Sequence, residues 1–336
     1  MGSVERVTIA QVAAEAGVSS MTVSNVVNGR PGASDATRER VLEVAARLGY
    51  QVNLSARSLR SGRTGLIGII SLDLVSEYSH EIMRGVAESV VDDERELLLN
   101  VSVDAVRERD RIEFFARDLV DGVLLIAPVL EPATVAMLES LDVPVVVIDP
   151  RRLDVPLPRV TVDNYEGVRA GTEHLIGLGH RRIGYIRGDE DLESTLTRQR
   201  GYLDAMKLAG LPVDDDLLAE SGFSHEAGFR AGQQLLERAE PTAIIAGADL
   251  IAFGAMDAAR ARGLDVPRDL SIVGFDDLPR AAHTYPPLTT VRQPLHDMGQ
   301  AGTRALLSLI EGRPLAVENI RMPTTLIVRG STAVAR

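Results

Sequence analysis

Apolar side chains recur at helical spacing near the amino terminus and predict two short helices joined by a tight turn. Thr8 is a candidate N-cap, and Gln11 three residues later can complete a capping box. Gly17 has the backbone freedom that a helix end requires, and Ser19 can cap the next helix. The apolar stripes are Ile9, Val12, Ala13 and Ala16 in the first helix and Val23, Val26 and Val27 in the second. This arrangement is typical of a helix-turn-helix, whose second helix enters a DNA major groove.

The outer face of the second helix carries short polar side chains and one thioether. Such groups suit base edges and phosphate oxygens in a major groove. The pattern alone is also compatible with an ordinary pair of amphipathic core helices. The candidate DNA ligands of this region are Thr8, Ser19, Ser20, Met21, Thr22, Ser24, Asn25 and Asn28.

A third helix and a basic segment follow this pair. Ser34 begins a helix from Asp35 to Leu48, which Gly49 ends. Its apolar side comprises Val41, Leu42, Ala45 and Leu48. Residues 50–64 form a basic stretch in which Asn53 could cap a further helix. A helix of about nine residues is unstable alone in water, so we expect this stretch to order only when a partner stabilises it.

The charge distribution separates this region from the rest of the chain. Residues 1–64 carry eight arginines and five acidic residues, or +3, so the overall charge of −12 leaves −15 for residues 65–336. Arg57, Arg60 and Arg63 lie where DNA phosphates would be contacted, and binding there should weaken with added salt through counterion release. The acidic remainder disfavours non-specific contact with DNA.

From residue 64 onward, short apolar runs alternate with helical stretches. The strand candidates are Leu66–Leu72, Glu96–Val103, Gly122–Ala127, Val143–Ile148, Val160–Val162, Arg182–Arg187, Ala243–Ala246 and Ser271–Phe275. The helix candidates are about 79–93, 107–119, 131–140, 164–178, 195–209, 225–238 and 250–262. Alternation of strands and helices predicts parallel sheets, and two successive series predict two doubly wound α/β lobes.

The predicted organisation is a small all-α headpiece, a hinge and a two-lobed α/β core. Ligands of such sheets bind beyond the carboxyl ends of the strands, so the cleft between the lobes is the expected pocket. The expected boundaries are 1–50 for the headpiece, 51–64 for the hinge and 65–336 for the core, with the first lobe at about 65–162 and 294–323 and the second at about 163–293 and 324–336.

Carboxylates stand where such a pocket is expected. Asp149, Asp249 and Asp276 each follow an apolar run that is predicted to be a strand. A carboxylate can accept hydrogen bonds from the hydroxyls on two adjacent carbons of a sugar. These carboxylates therefore recur where a ligand would lie, and the identity of that ligand stays open.

The chain resembles the LacI/GalR family of bacterial transcription regulators from Val7 to about Thr332. The resemblance rests on the headpiece, the basic hinge, Gly179-His180-Arg181-Arg182-Ile183, Gly274-Phe275-Asp276-Asp277 and the run from Pro286 to Pro294. It implies a core like a periplasmic sugar-binding protein. It also implies a homodimer that binds a pseudo-palindromic operator, with a sugar or related metabolite between the lobes as the allosteric effector. Most members release DNA on binding the effector and some bind DNA more tightly, and these residues do not decide between the two.

The resemblance also implies roles for particular residues. The segment that matches Asn53–Ser61 is a hinge helix in the family, and Leu59 matches a leucine that it inserts into the minor groove. The candidate hinge ligands of DNA are Asn53, Ala56, Arg57, Leu59 and Arg60. The candidate effector ligands are Asp73, Tyr78, Asp149, Arg198, Phe223, Asp249 and Asp276, among which Arg198 and Asp276 match the family's effector-binding arginine and aspartate.

The chain departs from the family pattern at several of these positions. Ser76-Glu77-Tyr78 replaces an Asn-Pro-aromatic run of many relatives, and Ala248-Asp249 replaces Asn-Asp. Losing an amide removes a donor and an acceptor, so the effector of one relative cannot be assigned to this chain. Asn25 stands where the family usually has arginine, and asparagine favours adenine over guanine.

Composition and missing motifs argue against other classes of protein. Zero cysteine excludes disulfides and thiolate metal sites, and the six histidines lack a paired spacing, so we expect no metal and no cofactor. We found no apolar run of membrane-spanning length and no signal peptide, and we therefore expect a cytoplasmic protein. The alternative is a sugar-binding receptor or sugar-processing enzyme with an accessory helical domain. No phosphate loop or dinucleotide fingerprint supports an enzyme, and a receptor would not need the headpiece.

Replacing Leu59 with alanine should weaken specific operator binding and leave thermal stability nearly unchanged. An apolar side chain wedged between base steps recovers its unstacking cost through the contacts that bent DNA allows, and alanine is too short to act as the wedge. Titration of an operator duplex measures the affinity, and a melting curve measures the stability. Unaltered operator affinity would remove the wedge role from Leu59.

Overall fold

The chain divides into two compact units, Met1–Thr64 and Gly65–Arg336. The computed structural model describes residues 7–27, 31–50, 63–73, 75–91, 93, 95–102, 104–117, 119–152 and 154–336. The assignments that lie outside these residues, and therefore stay predictions, are those of Asn28, Asn53, Ala56, Arg57, Leu59 and Arg60.

The described part of the first unit contains three helices with the predicted caps. They are α1 (Ile9–Ala16), α2 (Ser20–Val27) and α3 (Asp35–Leu48). The capping box is confirmed, since the Thr8 amide donates to Gln11 Oε1 at 2.7 Å and the Gln11 amide donates to Thr8 Oγ1 at 3.4 Å. Gly17 and Gly49 end α1 and α3 with φ angles of 65° and 68°, a conformation that glycine adopts without a steric penalty.

Two side chains of this unit lie on the opposite side from the one expected. Ser24, predicted on the outer face of α2, is only 6% exposed, because the buried arc of this short helix includes it together with Val23 and Val26. Leu42, predicted in the core, is 48% exposed. Val44 is buried in its place, one helical turn after Val41.

The second unit alternates strands and helices. Its strands are β1 (Leu66–Ser71), β2 (Glu96–Val101), β3 (Gly122–Ile126), β4 (Val145–Ile148), β5 (Arg159–Val162), β6 (Ile183–Arg187), β7 (Leu218–Glu220), β8 (Ala243–Ala246), β9 (Ser271–Asp276), β10 (Thr289–Arg292), β11 (Asn319–Met322) and β12 (Thr325–Ile327). Its α-helices are α4 (Glu77–Val91), α5 (Ala105–Phe115), α6 (Pro132–Glu139), α7 (Asn164–Gly177), α8 (Glu193–Leu208), α9 (His225–Arg238), α10 (Asp249–Ala261) and α11 (Leu295–Ile310). Within the described ranges, no helix combines the length and apolarity needed to cross a membrane.

These elements form two lobes, each built on a six-stranded sheet. The first sheet has the order β11-β5-β4-β3-β1-β2 and is parallel throughout. The second has the order β12-β10-β9-β8-β6-β7, with β12 antiparallel to β10. Central strands such as β3 and β8 are buried along their whole length, as expected for strands covered by helices on both faces. The predicted fold class is confirmed.

The sequence pattern missed four short strands and one helix. The strands β7, β10, β11 and β12 contain polar residues, whereas the equally short β4 and β8 are entirely apolar and were predicted. The helix α11 was also missed, although the segment that contains it was assigned to the first lobe. After β10 the chain enters α11 and β11 on the first lobe, and it then returns to the second sheet as β12.

Two glycines allow α4 and α11 to cross at close range in the first lobe. A Cβ atom on Gly85 would lie 1.9 Å from the carbonyl oxygen of His296, and one on Gly299 would lie 2.1 Å from the carbonyl oxygen of Ile82. Both obstacles are backbone atoms of the opposing helix. The two helices are therefore in direct backbone contact at this crossing.

Replacing Gly85 with alanine should destabilise the protein by about 1–3 kcal/mol or more, because the added methyl group forces two packed helices apart. The matched control is Gly177→Ala at the end of α7, where a Cβ would meet nothing within 4 Å. Alanine there should leave stability unchanged or raise it by up to about 1 kcal/mol, because glycine is the poorer helix former. Chemical denaturation of both variants measures the difference. Equal stability of the two variants would contradict the close crossing.

Candidate functional site

The ends of β4 and β9, in different lobes, each carry a carboxylate on strained backbone. Asp149 follows β4 with a φ of 48°, and Asp276 ends β9 with a φ of 127°. Neither residue is a glycine, so the surrounding contacts must hold these conformations, which recur at functional sites. The sequence had marked both positions as candidate effector ligands.

In the first lobe, Asp149 is paired with Tyr78 of α4. The tyrosine hydroxyl donates to Asp149 Oδ2 at 2.5 Å. Burial raises the pKa of Tyr78 well above its usual value, and the negative charges of Asp149 and Asp276 raise it further. The Arg280 amide, shortly after β9, donates to Glu77 Oε2 at 3.2 Å, so the start of the helix that carries Tyr78 lies close to the segment that follows Asp276.

In the second lobe, Arg198 of α8 is buried and connects several elements. Its Nε donates to Asn164 Oδ1 at 2.7 Å, and Nη1 donates to the carbonyl oxygen of Gly247 at 2.6 Å. The guanidinium carbon lies 3.7 Å from the centroid of the Phe275 ring, and Nη1 lies 4.0 Å from Asp276 Oδ1. The arginine thus places a positive charge beside the carboxylate that ends β9.

Asp276 is held by Gln293 as well as by this arginine. Gln293 Nε2 donates to Asp276 Oδ1 at 2.6 Å. Burial raises the pKa of Asp276 to about 6, with Arg198 and the hydrogen bond from Gln293 opposing the rise and Asp149 adding to it. The other amide atom, Gln293 Oε1, is buried and has no hydrogen-bond partner among the described residues. A donor on a bound molecule or a water can satisfy this acceptor.

Two other carboxylates that were predicted as effector ligands accept hydrogen bonds from groups of the protein itself. Asp249 is fully buried and accepts from Thr290 Oγ1 at 2.5 Å and from the Leu278 amide at 2.8 Å. Asp73 accepts from the Val75 and Ser76 amides at 3.0 and 2.7 Å, just before α4 begins. This geometry favours supporting roles for both, Asp249 for the loop after β9 and Asp73 for the helix that carries Tyr78.

Phe223 packs against the loop that follows β6. A Cβ atom on Gly188 would lie 2.2 Å from the Phe223 ring, so only glycine allows the ring to lie directly on the backbone there. Gln293 and Asn164 were not predicted from the sequence. Gln293 lies in the run Pro286–Pro294 that supported the family resemblance, which is the signal that could have found it.

The headpiece presents part of the predicted DNA-reading set to solvent. Met21 is 69% exposed, Ser20 is exposed, and Thr22 and Asn25 are half-buried. The hydroxyls of Thr8 and Ser19 serve as helix caps. Among the described residues, no group of three His, Cys, Asp or Glu side chains is arranged to hold a metal ion.

Comparison with known proteins identifies the family. The model "Bacterial regulatory proteins, lacI family" matches residues 8–53, and "Periplasmic binding protein-like domain" matches residues 172–332. The HTH-type transcriptional regulator DegA of Bacillus subtilis (strain 168) is 33% identical over 332 residues, which are 98% of each chain. The chain belongs to the LacI family. It is therefore a DNA-binding transcriptional regulator, as the motifs predicted.

Two solved structures of transcriptional regulators are similar to this regulator over nearly the full length of the chain. The lac repressor dimer bound to operator and the anti-inducer ONPF has a TM-score of 0.88 at 29% identity, covering 98% of this chain and 100% of that chain. The complex of the transcriptional regulator CelR with cellobiose has a TM-score of 0.75 at 33% identity, covering 97% and 100%.

Replacing Asp276 with asparagine should stabilise this LacI-family regulator more at pH 7.5 than at pH 4.5. The folded pKa of about 6 lies above the value of about 3.9 for an unfolded aspartate, so folding favours the protonated form. Stability present at low pH is therefore lost as the pH rises from about 4 to about 6. Asparagine does not ionise, so the variant does not lose this part of the free energy of unfolding, which is on the order of 2 kcal/mol.

Melting curves of the Asp276→Asn variant and the unaltered protein across this pH range measure the effect. The control is Asp154→Asn, because the Arg152 partner lowers the pKa of Asp154 and so moves its titration below this window. A difference in Tm between Asp276→Asn and the unaltered protein that does not change with pH would contradict the raised pKa.

Proposed function

We propose that the regulator is a repressor whose operator affinity is controlled by a sugar or related metabolite bound between the two lobes. The observation that carries this proposal is the group formed by Tyr78 and Asp149 of one lobe and Arg198, Asp276 and Gln293 of the other. A molecule that binds both halves of this group favours one arrangement of the lobes over another. Such differential affinity is what an allosteric effector requires.

The chemistry of the group suits a hydroxyl-rich ring. The carboxylates of Asp149 and Asp276 accept hydrogen bonds from hydroxyls, and the buried Gln293 Oε1 offers a further acceptor. Arg198 supplies the donors for ring or hydroxyl oxygens. The complex of CelR with cellobiose and a LacI-family structure with bound ribose support the carbohydrate class.

The proposed DNA contacts begin on α2, with Ser20, Met21, Thr22 and Asn25 toward the major groove. Ser24 is buried and would act through the packing of the helix. The hinge candidates, led by Leu59, would contact the minor groove and the phosphates. A homodimer would place two headpieces on a pseudo-palindromic operator, because protein symmetry is matched by the half-sites.

We further propose that the chain has no catalytic activity and acts in the cytoplasm, where its operator is available. The relatives support this, since they are transcriptional regulators. Asp149 and Asp276 could act as an acid and a base in an enzyme. In this protein Tyr78 donates to Asp149 and Gln293 donates to Asp276. These hydrogen bonds orient the carboxylates, which fits a binding site better than a catalytic one.

A sugar that binds this site should raise the Tm of the unaltered protein, and Asp276→Asn should weaken its binding about tenfold to a hundredfold. The reason is the loss of a charged acceptor, since hydrogen bonds to charged groups contribute about 1.5–3 kcal/mol. A thermal-shift screen of cellobiose, maltose, ribose and nucleosides, followed by titration of the compound that raises the Tm, measures this effect.

The matched control for this screen is Asp154→Asn, an exposed carboxylate on the first lobe whose side chain is paired with Arg152. It should keep the full thermal shift. Operator duplexes selected from a random pool then show whether the same sugar changes DNA affinity. An undiminished shift in Asp276→Asn would place the binding site elsewhere.

A further inference from the structure

Asp276, the last residue of β9, and the two residues after it, Asp277 and Leu278, contact three different parts of the molecule. Asp276 belongs to the proposed effector site between the lobes, called here the inter-lobe site, which consists of Tyr78, Asp149, Arg198, Asp276 and Gln293. Gln293 Nε2 donates to Asp276 at 2.6 Å. Asp277 binds two arginines close to the passages between the lobes. Leu278 is 1% exposed and lies in the apolar cluster of the first lobe.

The contacts of Asp277 tie this segment to the returning strands. Asp277 Oδ2 accepts from Arg292 Nε at 2.7 Å, and Oδ1 accepts from Arg329 Nη2 at 2.6 Å. Arg292 is the last residue of β10, before the chain passes to the first lobe, and Arg329 follows β12, after the chain has returned. The carboxylate of Asp277 therefore joins the segments on either side of that excursion.

Leu278 is exceptional because it belongs to the apolar core of the lobe opposite to its strand. Phe275 of β9, three residues earlier, lies in a cluster of the second lobe. Leu278 instead belongs to the cluster of Ile82 and Met298 in the first lobe. Leu250 of α10 packs against clusters of both lobes, and the Arg280 amide donates to Glu77 Oε2 at 3.2 Å. The segment after β9 thus attaches the second lobe to the first.

Buried hydrogen bonds fix the direction of this segment. Asp249 accepts from the Leu278 amide at 2.8 Å and is itself held by Thr290 Oγ1 at 2.5 Å. Asp276 and Asp277 have φ angles of 127° and 59°, which side-chain-bearing residues rarely adopt. The contacts, and not local preference, therefore set the path of the chain from Asp276 to Leu278.

We propose that Leu278 is the positioning residue that holds the two lobes in the arrangement from which the inter-lobe site controls operator affinity. Its side chain packs in the apolar core of the first lobe. Its backbone lies two residues after Asp276, whose carboxylate belongs to the inter-lobe site. This role rests on the proposed control of operator affinity by an inter-lobe ligand. Truncating Leu278 should loosen the arrangement of the lobes without removing any ligand-facing side chain.

The absence of cysteine allows a direct test by spin-label distance measurement. Cysteines introduced at the exposed positions Arg111, in the first lobe, and Lys207, in the second, carry the labels. Labelled protein is mixed with excess unlabelled protein, so that distances between subunits do not contribute. The Leu278→Ala variant should give a broader or shifted distance distribution than the unaltered protein, and Leu278→Met should restore the original one.

The matched control is Leu235→Ala, which removes an equally buried leucine from the apolar core of the second lobe alone. It should lower the Tm but keep the original distance distribution. If Leu278→Ala fails to fold, the smaller truncation Leu278→Val replaces it. An unchanged distribution in the Leu278 variant, or an equal change in the Leu235 variant, would overturn the proposal. These distances are measured without sugar, so they do not depend on the thermal-shift result.

Discussion

The charge of Arg198 is the feature on which the inter-lobe site depends. A buried guanidinium is costly unless its donors are bonded, and here the bonds come from Asn164 at the start of α7 and Gly247 after β8. The ring of Phe275 lies against the guanidinium and Asp276 lies beside it. One side chain thereby sets the relative positions of three elements and offsets part of the negative charge that gathers there. Removing it would leave carboxylates from two lobes facing each other with less compensation.

The same arrangement explains why like charges can be placed together. Asp149 and Asp276 would repel each other when both are ionised. Burial is the main cause of the raised pKa of Asp276, and the negative charge of Asp149 adds to it. Hydrogen bonds from Tyr78 and Gln293 orient the two carboxylates. The proposed effector would therefore meet side chains that are already oriented, which lowers the conformational entropy lost on binding.

The sequence predicted those parts of the fold that local chemistry determines. Helix caps such as Thr8 and Gly49, the long apolar strands and the aspartates at strand ends could all be found from residue type and spacing. The roles of Asp249 and Asp73 could not, because their hydrogen-bond partners come from backbone and side chains that only the folded structure brings into reach. The same limit applies to Ser24. Its burial depends on how many positions around this short helix are covered by the neighbouring helices. The strands β10, β11 and β12 were missed because polar residues interrupt their short apolar runs, unlike the entirely apolar β4 and β8.

The crossing of α4 and α11 at Gly85 and Gly299 couples the positions of these two helices in the first lobe. Backbone in contact with backbone leaves no side-chain layer between the helices at this crossing, so a displacement of one helix is expected to move the other. Tyr78 lies near the beginning of α4. A change in the position of this tyrosine would therefore shift both helices of the pair.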